Sequence, residues 1–109
     1  MVKSPKVATR VRGSSAGRPI MVLLDLLGQR WTLRIVWELR DGPLTFRALQ
    51  KATGGISPTV LNARLSGLRG NALINLTGDG YQLSDLGQEL FTTFLPLVAW
   101  SEKWAKKLG

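Results

Sequence analysis

The sequence predicts a mainly α-helical domain that carries one small β-hairpin. Three observations lead there. Apolar residues recur at helical spacing in successive segments from Pro19 onward. Glycine and proline punctuate those segments at Asp41-Gly42-Pro43, Thr53-Gly54-Gly55 and Ser57-Pro58. One Asp-Gly pair, Asp79-Gly80, joins two short runs that alternate apolar and polar. The 109 residues suffice for a single core, and 44% hydrophobic composition is too high for a disordered chain.

Residues 1–18 read as a flexible basic arm, and residues 19–109 as the folded domain. The arm holds Lys3, Lys6, Arg10, Arg12 and Arg18, no acidic residue, and a Gly13-Ser14-Ser15-Ala16-Gly17 linker. It is either a solvated tail or an arm that follows phosphates or enters a minor groove. Pro19 suits a first helical turn, and Ile20 to Leu27 continues it, apolar almost all round, so that both sides call for cover. A second helix spans about Trp31 to Arg40, with Leu33, Val36, Trp37 and Leu39 inward and Arg34, Glu38 and Arg40 outward. Asp41-Gly42-Pro43 ends it.

Leu44-Thr45-Phe46 is a short extended piece. The helix after it turns Phe46, Leu49 and Ala52 inward and Arg47, Gln50 and Lys51 outward. After the tight turn Thr53 to Ile56, Ser57 caps a further helix and Pro58 takes its first position, with Leu61, Leu65 and Leu68 as the buried stripe. Leu73 to Leu76 and Gly80 to Leu83 are the hairpin strands. Ser84 then caps a long terminal helix bearing Leu86, Leu90, Phe94, Leu97, Val98, Trp100 and Trp104, with a kink expected at Pro96. Two helices joined by a glycine-containing turn make a helix-turn-helix. The whole order, closed by a hairpin and a last helix, describes a winged helix.

Charge narrows the chemistry. Fifteen Lys and Arg against seven Asp and Glu leave +8, which favours a polyanionic partner such as nucleic acid. With no cysteine and no histidine, disulfides, thiolate metal sites and the commonest general base are excluded. The carboxylates are scattered, so no catalytic, metal or cofactor site is expected. The longest apolar stretch, Ile20 to Leu27, is far short of the roughly 20 residues of a membrane span. It runs into Gly28-Gln29-Arg30-Trp31 without a small-residue cleavage pattern, so a secretory leader is not expected and the cytoplasm is. No Gly-Lys-Ser/Thr follows Gly54-Gly55, which argues against a nucleotide-binding loop.

Four segments, Leu24 to Leu39 (LDLLGQRWTLRIVWEL), Asp41 to Leu49 (DGPLTFRAL), Gly54 to Leu68 (GGISPTVLNARLSGL) and Tyr81 to Leu90 (YQLSDLGQEL), together resemble the HxlR-type family of bacterial regulators, relatives of the MarR-type group. The resemblance covers about three quarters of the chain, and GISPTVL with its following ARL is its most specific part. It implies a homodimer that binds operator DNA and represses or activates nearby genes, repression being the expected sign. Many members carry a cysteine near the N-terminus and sense oxidants or electrophiles; this chain has none. The hairpin is also shorter than usual for the family, with Asp79 at its tip in place of Arg or Lys.

On this reading the helix from Ser57 to Gly70 is the recognition helix. Thr59, Asn62, Ala63, Arg64 and Ser66 face outward, with Asn62 suited to adenine, Arg64 to guanine, and Thr59 and Ala63 to the thymine methyl. Arg64 has a second reading as a structural residue that anchors the hairpin or a phosphate, and Ser57 combines capping with proximity to a phosphate. Arg47 and Lys51 are the expected phosphate contacts. The dimer interface is expected at Ile20, Leu23, Leu24, Leu90, Phe94, Trp100 and Trp104, with double-stranded DNA and a second copy as partners and any small-molecule effector unidentified. The competing readings are a winged helix used only for protein–protein assembly and a basic protein of membrane surfaces. The acidic hairpin tip favours the former; the latter lacks a helix basic along one face.

Overall fold

The computed structural model describes residues 17–109. Its elements run α1 (Pro19–Leu27), α2 (Thr32–Glu38), α3 (Phe46–Ala52), α4 (Pro58–Gly70), β1 (Ile74–Thr77), β2 (Gly80–Leu83), α5 (Asp85–Phe94) and α6 (Pro96–Leu108). Of the predicted arm, Lys3, Lys6, Arg10 and Arg12 lie outside the described residues.

The core forms where α2, α3, α4 and the hairpin meet. Ile35, Val36, Leu39, Leu49, Leu61, Leu65, Leu68 and Ile74 are its fully buried apolar side chains. Burying such a residue contributes about 1.5–3 kcal/mol, which makes this cluster the main source of stability. Within α2 the buried set is Thr32, Ile35, Val36 and Leu39, spaced i, i+3, i+4, i+7. Thr32 and Ile35 were not among the expected inward residues, and Leu33 and Trp37 are only half-buried. Trp37 is too large for the centre. It sits at the rim, 5.9 Å from the Phe91 ring, with the Arg40 guanidinium 4.2 Å above it. Arg40 and Glu38 are therefore half-buried rather than turned to water, Glu38 accepting a hydrogen bond from Arg34 Nε at 2.8 Å.

Trp31 is the residue before α2, not its first turn, and it stands at φ 80, ψ −16. A left-handed backbone costs a bulky residue roughly 1–2 kcal/mol. Thr32, completely buried, has no hydrogen-bond partner for its hydroxyl among the described residues. The junction of the α1–α2 loop with α2 is thus strained and under-satisfied.

The hairpin is antiparallel, with Ile74 opposite Leu83 and Thr77 opposite Gly80, so its first strand starts one residue later than the alternation suggested. A two-residue turn, Gly78-Asp79, closes it, and the Thr77 hydroxyl accepts from Asp79 N at 3.1 Å. Leu44 joins as a third partner through paired hydrogen bonds with Tyr81, 2.9 and 2.8 Å. That approach requires Gly80, at φ 119, because a Cβ there would press on the Leu44 backbone.

Ser84 and Thr45 are working N-caps: their hydroxyls accept from Gly87 N at 3.0 Å and Ala48 N at 3.1 Å. The expected long terminal helix is divided. Pro96 has no N–H to give, so α5 ends at Phe94 and α6 restarts through Leu95 in helical geometry. Leu90, expected at an interface, packs instead against the core cluster. α1 buries Val22 and Leu26 only, and its other side is uncovered, with Ile20 54% and Leu24 53% exposed. No described helix is long and apolar enough to cross a membrane.

Candidate nucleic-acid interface

The helix-turn-helix is built from α3 and α4. Between them Gly54 and Gly55 take φ 84 and 104, a conformation that admits glycine and few other residues. The turn is pinned from inside. The buried Thr53 hydroxyl donates to Leu49 O (2.9 Å) and lies 3.0 Å from Gln50 O, while Gln50 Nε2 donates to Ile56 O at 3.1 Å. Gln50, expected outward, is therefore half-buried and links the end of the turn to α3. From the other side Arg34 Nη2 donates to Ala52 O at 3.0 Å, tying α2 to the last turn of α3.

α4 starts as its sequence dictates. Ser57 Oγ accepts from Val60 N at 3.2 Å, and Pro58 occupies the first turn. With Leu61, Leu65 and Leu68 buried, Thr59, Asn62, Ala63 and Ser66 are exposed. Thr59, Ala63 and Ser66, spaced i, i+4, i+7, form the ridge opposite the buried stripe. All three are small, so little side chain separates the helix backbone from whatever it meets. Asn62 and Arg64 stand about 200° apart around the axis and occupy opposite flanks of that ridge.

The two flanks have different neighbours. On one, Arg69 lines an open groove of about 580 Å³ with Asn75 and Gln82 of the hairpin. On the other, Gly67 lies against Leu26 of α1, and Arg64 Nε donates to the carbonyl of Arg30 at 2.7 Å. Arg64 is half-buried and has one donor committed to this bond, so of its two expected roles the anchoring one has a partner, though in the α1–α2 loop and not in the hairpin. Arg47 and Lys51 are exposed on α3. Among the described residues two ion pairs form, Arg34–Glu38 at 2.8 Å and Arg40–Asp41 at 3.7 Å. Arg30, Arg47, Lys51, Arg64 and Arg69, on and beside α3 and α4, belong to neither, and Lys103, Lys106 and Lys107 form a second such group on α6. Open grooves lie at the hairpin base and on the exposed face of α5, along Gln88, Thr92 and Thr93.

A capped second helix presenting an unobstructed small-residue ridge, with cations on its flanks and a hairpin beside it, places the chain among helix-turn-helix transcriptional regulators of the winged type. It belongs to the HxlR-like helix-turn-helix family, whose model matches residues 26–108. Among curated relatives, it is 28% identical over 88 residues to the uncharacterized HTH-type transcriptional regulator MJ0925 of Methanocaldococcus jannaschii, covering 77% of this chain and 83% of that one. It is 32% identical over 102 residues to the uncharacterized HTH-type transcriptional regulator Rv3095 of Mycobacterium tuberculosis; the match spans 87% of this chain and 61% of that protein's length. Among solved structures it is similar to the quinone-bound YodB from B. subtilis, with a TM-score of 0.72 and 30% identity over 77% of this chain and 96% of that one.

Proposed function

We propose that this regulator binds DNA sequence-specifically as a homodimer, inserts α4 into the major groove, and represses the genes beside its operator. The observation that carries the reading is the exposed Thr59–Ala63–Ser66 ridge. A helix about 10–12 Å across fills a major groove about 12 Å wide, and small residues along the leading ridge let its backbone approach the base edges. Asn62, exposed on the hairpin-side flank, is then the best placed side chain for a bidentate contact with adenine. Arg47 and Lys51 on α3 supply phosphate contacts, which fix position without carrying sequence information.

Dimerisation is supported by apolar surface left in water. Trp100 and Trp104 are 54% and 52% exposed and stack on each other, with ring centroids 6.1 Å apart. Ile20, Leu24, Leu97 and Leu108 are exposed as well, and α6 buries no residue at all. A monomer rarely leaves so much apolar surface open, and aromatic residues are enriched where partners meet. Of the expected interface, Ile20, Leu24, Trp100 and Trp104 fit best, while Leu23, Phe94 and Leu90 are half-buried, Leu90 against the core cluster. A two-fold pair would set two copies of α4 about one helical turn of DNA apart, or a multiple of that.

Selecting bound duplexes from a random pool tests the reading. A near-palindromic site with half-sites at that spacing is the expected result; a pool that stays random after repeated rounds overturns sequence-specific binding. Control by thiol chemistry is not open to this chain, since it has no cysteine for an oxidant or a quinone to attack. Its regulation rests on a non-covalent ligand, a partner or its own abundance.

A further inference from the structure

We propose a phosphate-binding site in the α1–α2 loop, formed by Arg30 with Arg64 behind it, that grips one DNA strand on the flank of α4 away from the hairpin. The proposal rests on the reading of α4 as the major-groove helix and adds a contact that neither α3 nor α4 supplies by itself.

The geometry begins with the helix flanks. When a helix occupies a major groove, its leading ridge faces the base edges and its two flanks face the two sugar–phosphate walls. The flank that carries Arg64 is the one against which the α1–α2 loop is drawn, through the 2.7 Å bond from Arg64 Nε to Arg30 O. Arg30 is thereby held beside a groove wall although it lies 34 residues before Arg64 in sequence. Its side chain is exposed, and its guanidinium is steadied over the Trp31 ring, 5.3 Å from the centroid.

Charge supports the same assignment. Arg64 reaches the loop through the Arg30 carbonyl, and neither arginine is in an ion pair among the described residues, whereas Arg34 and Arg40 nearby each have a carboxylate. An exposed guanidinium without a counter-ion complements a phosphate, which its donors match in shape as well as charge. The loop's own strain has the same sense. Trp31 in a left-handed conformation and Thr32 buried without a partner are costs that persist only where tertiary contacts hold them, a pattern common at binding sites.

The test is a salt titration of binding to a labelled mixed-sequence duplex, using the full chain and the variants Arg30→Gln, Arg30→Met, Arg30→Lys and Arg40→Gln. Arg30→Gln should weaken binding to all sequences alike and lower the slope of log affinity against log salt by about 0.9, the share of one phosphate contact. Arg30→Lys, which keeps the charge, should restore most of that slope. Arg40→Gln, whose charge is already met by Asp41, should leave it unchanged. Circular dichroism checks that each variant is folded, and should Arg30→Gln unfold, Arg30→Met, which also removes the charge, is read in its place. If wild type fails to bind the duplex, the reading of α4 falls and the site with it. If wild type binds and the neutral Arg30 variant keeps its slope and affinity, or Arg40→Gln loses as much, the site alone is overturned.

Discussion

α4 and α6 are the same length, thirteen residues, and both open on a proline, yet their surroundings are opposite. α4 places three leucines in the centre of the core and keeps its polar ridge in solvent. α6 has the wider apolar stripe, Leu97, Trp100, Trp104 and Leu108 at helical spacing, and buries none of it. Amphipathic pattern therefore says that a helix has something to cover, but not whether its own chain provides the cover. In α4 the fold supplies the partner. In α6 the chain leaves the stripe in solvent, Trp100 and Trp104 with it.

Removing core contacts from α4 should have the largest effect. Leu65→Ala leaves a cavity beside Leu61 and Leu68 and should cost about 2–5 kcal/mol of folding stability, read from urea denaturation. On α6 the corresponding change should disassemble rather than unfold. Trp104→Ser should weaken dimerisation by about 2 kcal/mol or more, seen as a shift to monomer in sedimentation velocity at micromolar concentration, with the far-ultraviolet circular dichroism little changed. A wild-type protein that is already monomeric there would break the comparison, since α6 would then be an uncovered stripe with no occupant.

Two smaller changes sharpen it. Gly87 is buried where α5 crosses the hairpin base, and a Cβ there would drive into the Leu73 carbonyl oxygen. Gly87→Ala should cost about 1–3 kcal/mol of stability and leave the dimer constant unaffected, so that the fold of the core and assembly through α6 separate cleanly. Ser57→Ala removes the cap from α4 and should cost about 1 kcal/mol, whereas α6, whose N-terminus has no side-chain cap, has no equivalent to lose. A thermal-melt series over protein concentration completes the set: the midpoint of wild type should rise with concentration, and that of Trp104→Ser should not.

The sequence made the elements legible wherever a local signal specified them. Ser57-Pro58 and Ser84 marked helix starts, Asp79-Gly80 marked the hairpin, and Pro96 marked a kink at the point where the structure divides the helix, because caps, tight turns and missing N–H groups act within a few residues of themselves. The features that escaped all depend on distant partners. The phase of α2 shifted toward Thr32 and Ile35 because three elements press on it, and Gln50 turned inward because Ile56 offers it a carbonyl. The bond from Arg64 to Arg30 could not be read at all, since nothing in either residue's neighbourhood announces the other. Leu90 and Leu24 have similar composition-level claims to an interface, and only the fold separates the one that faces the core from the one that does not.

The division of the four tryptophans gives the protein an internal optical probe. Trp31 and Trp37 are half-buried, each with an arginine over its ring, and Trp100 and Trp104 are the two largely in solvent. The indoles of α6 should dominate the long-wavelength side of the emission and should be quenched first by iodide, an anion that Lys103, Lys106 and Lys107 on the same helix concentrate locally. Covering that face should shift the emission toward the blue and protect it from iodide, while the signal from Trp31 and Trp37 stays where it was. The proposed assembly through α6 can therefore be followed in unlabelled solution, by the colour of the protein's own fluorescence.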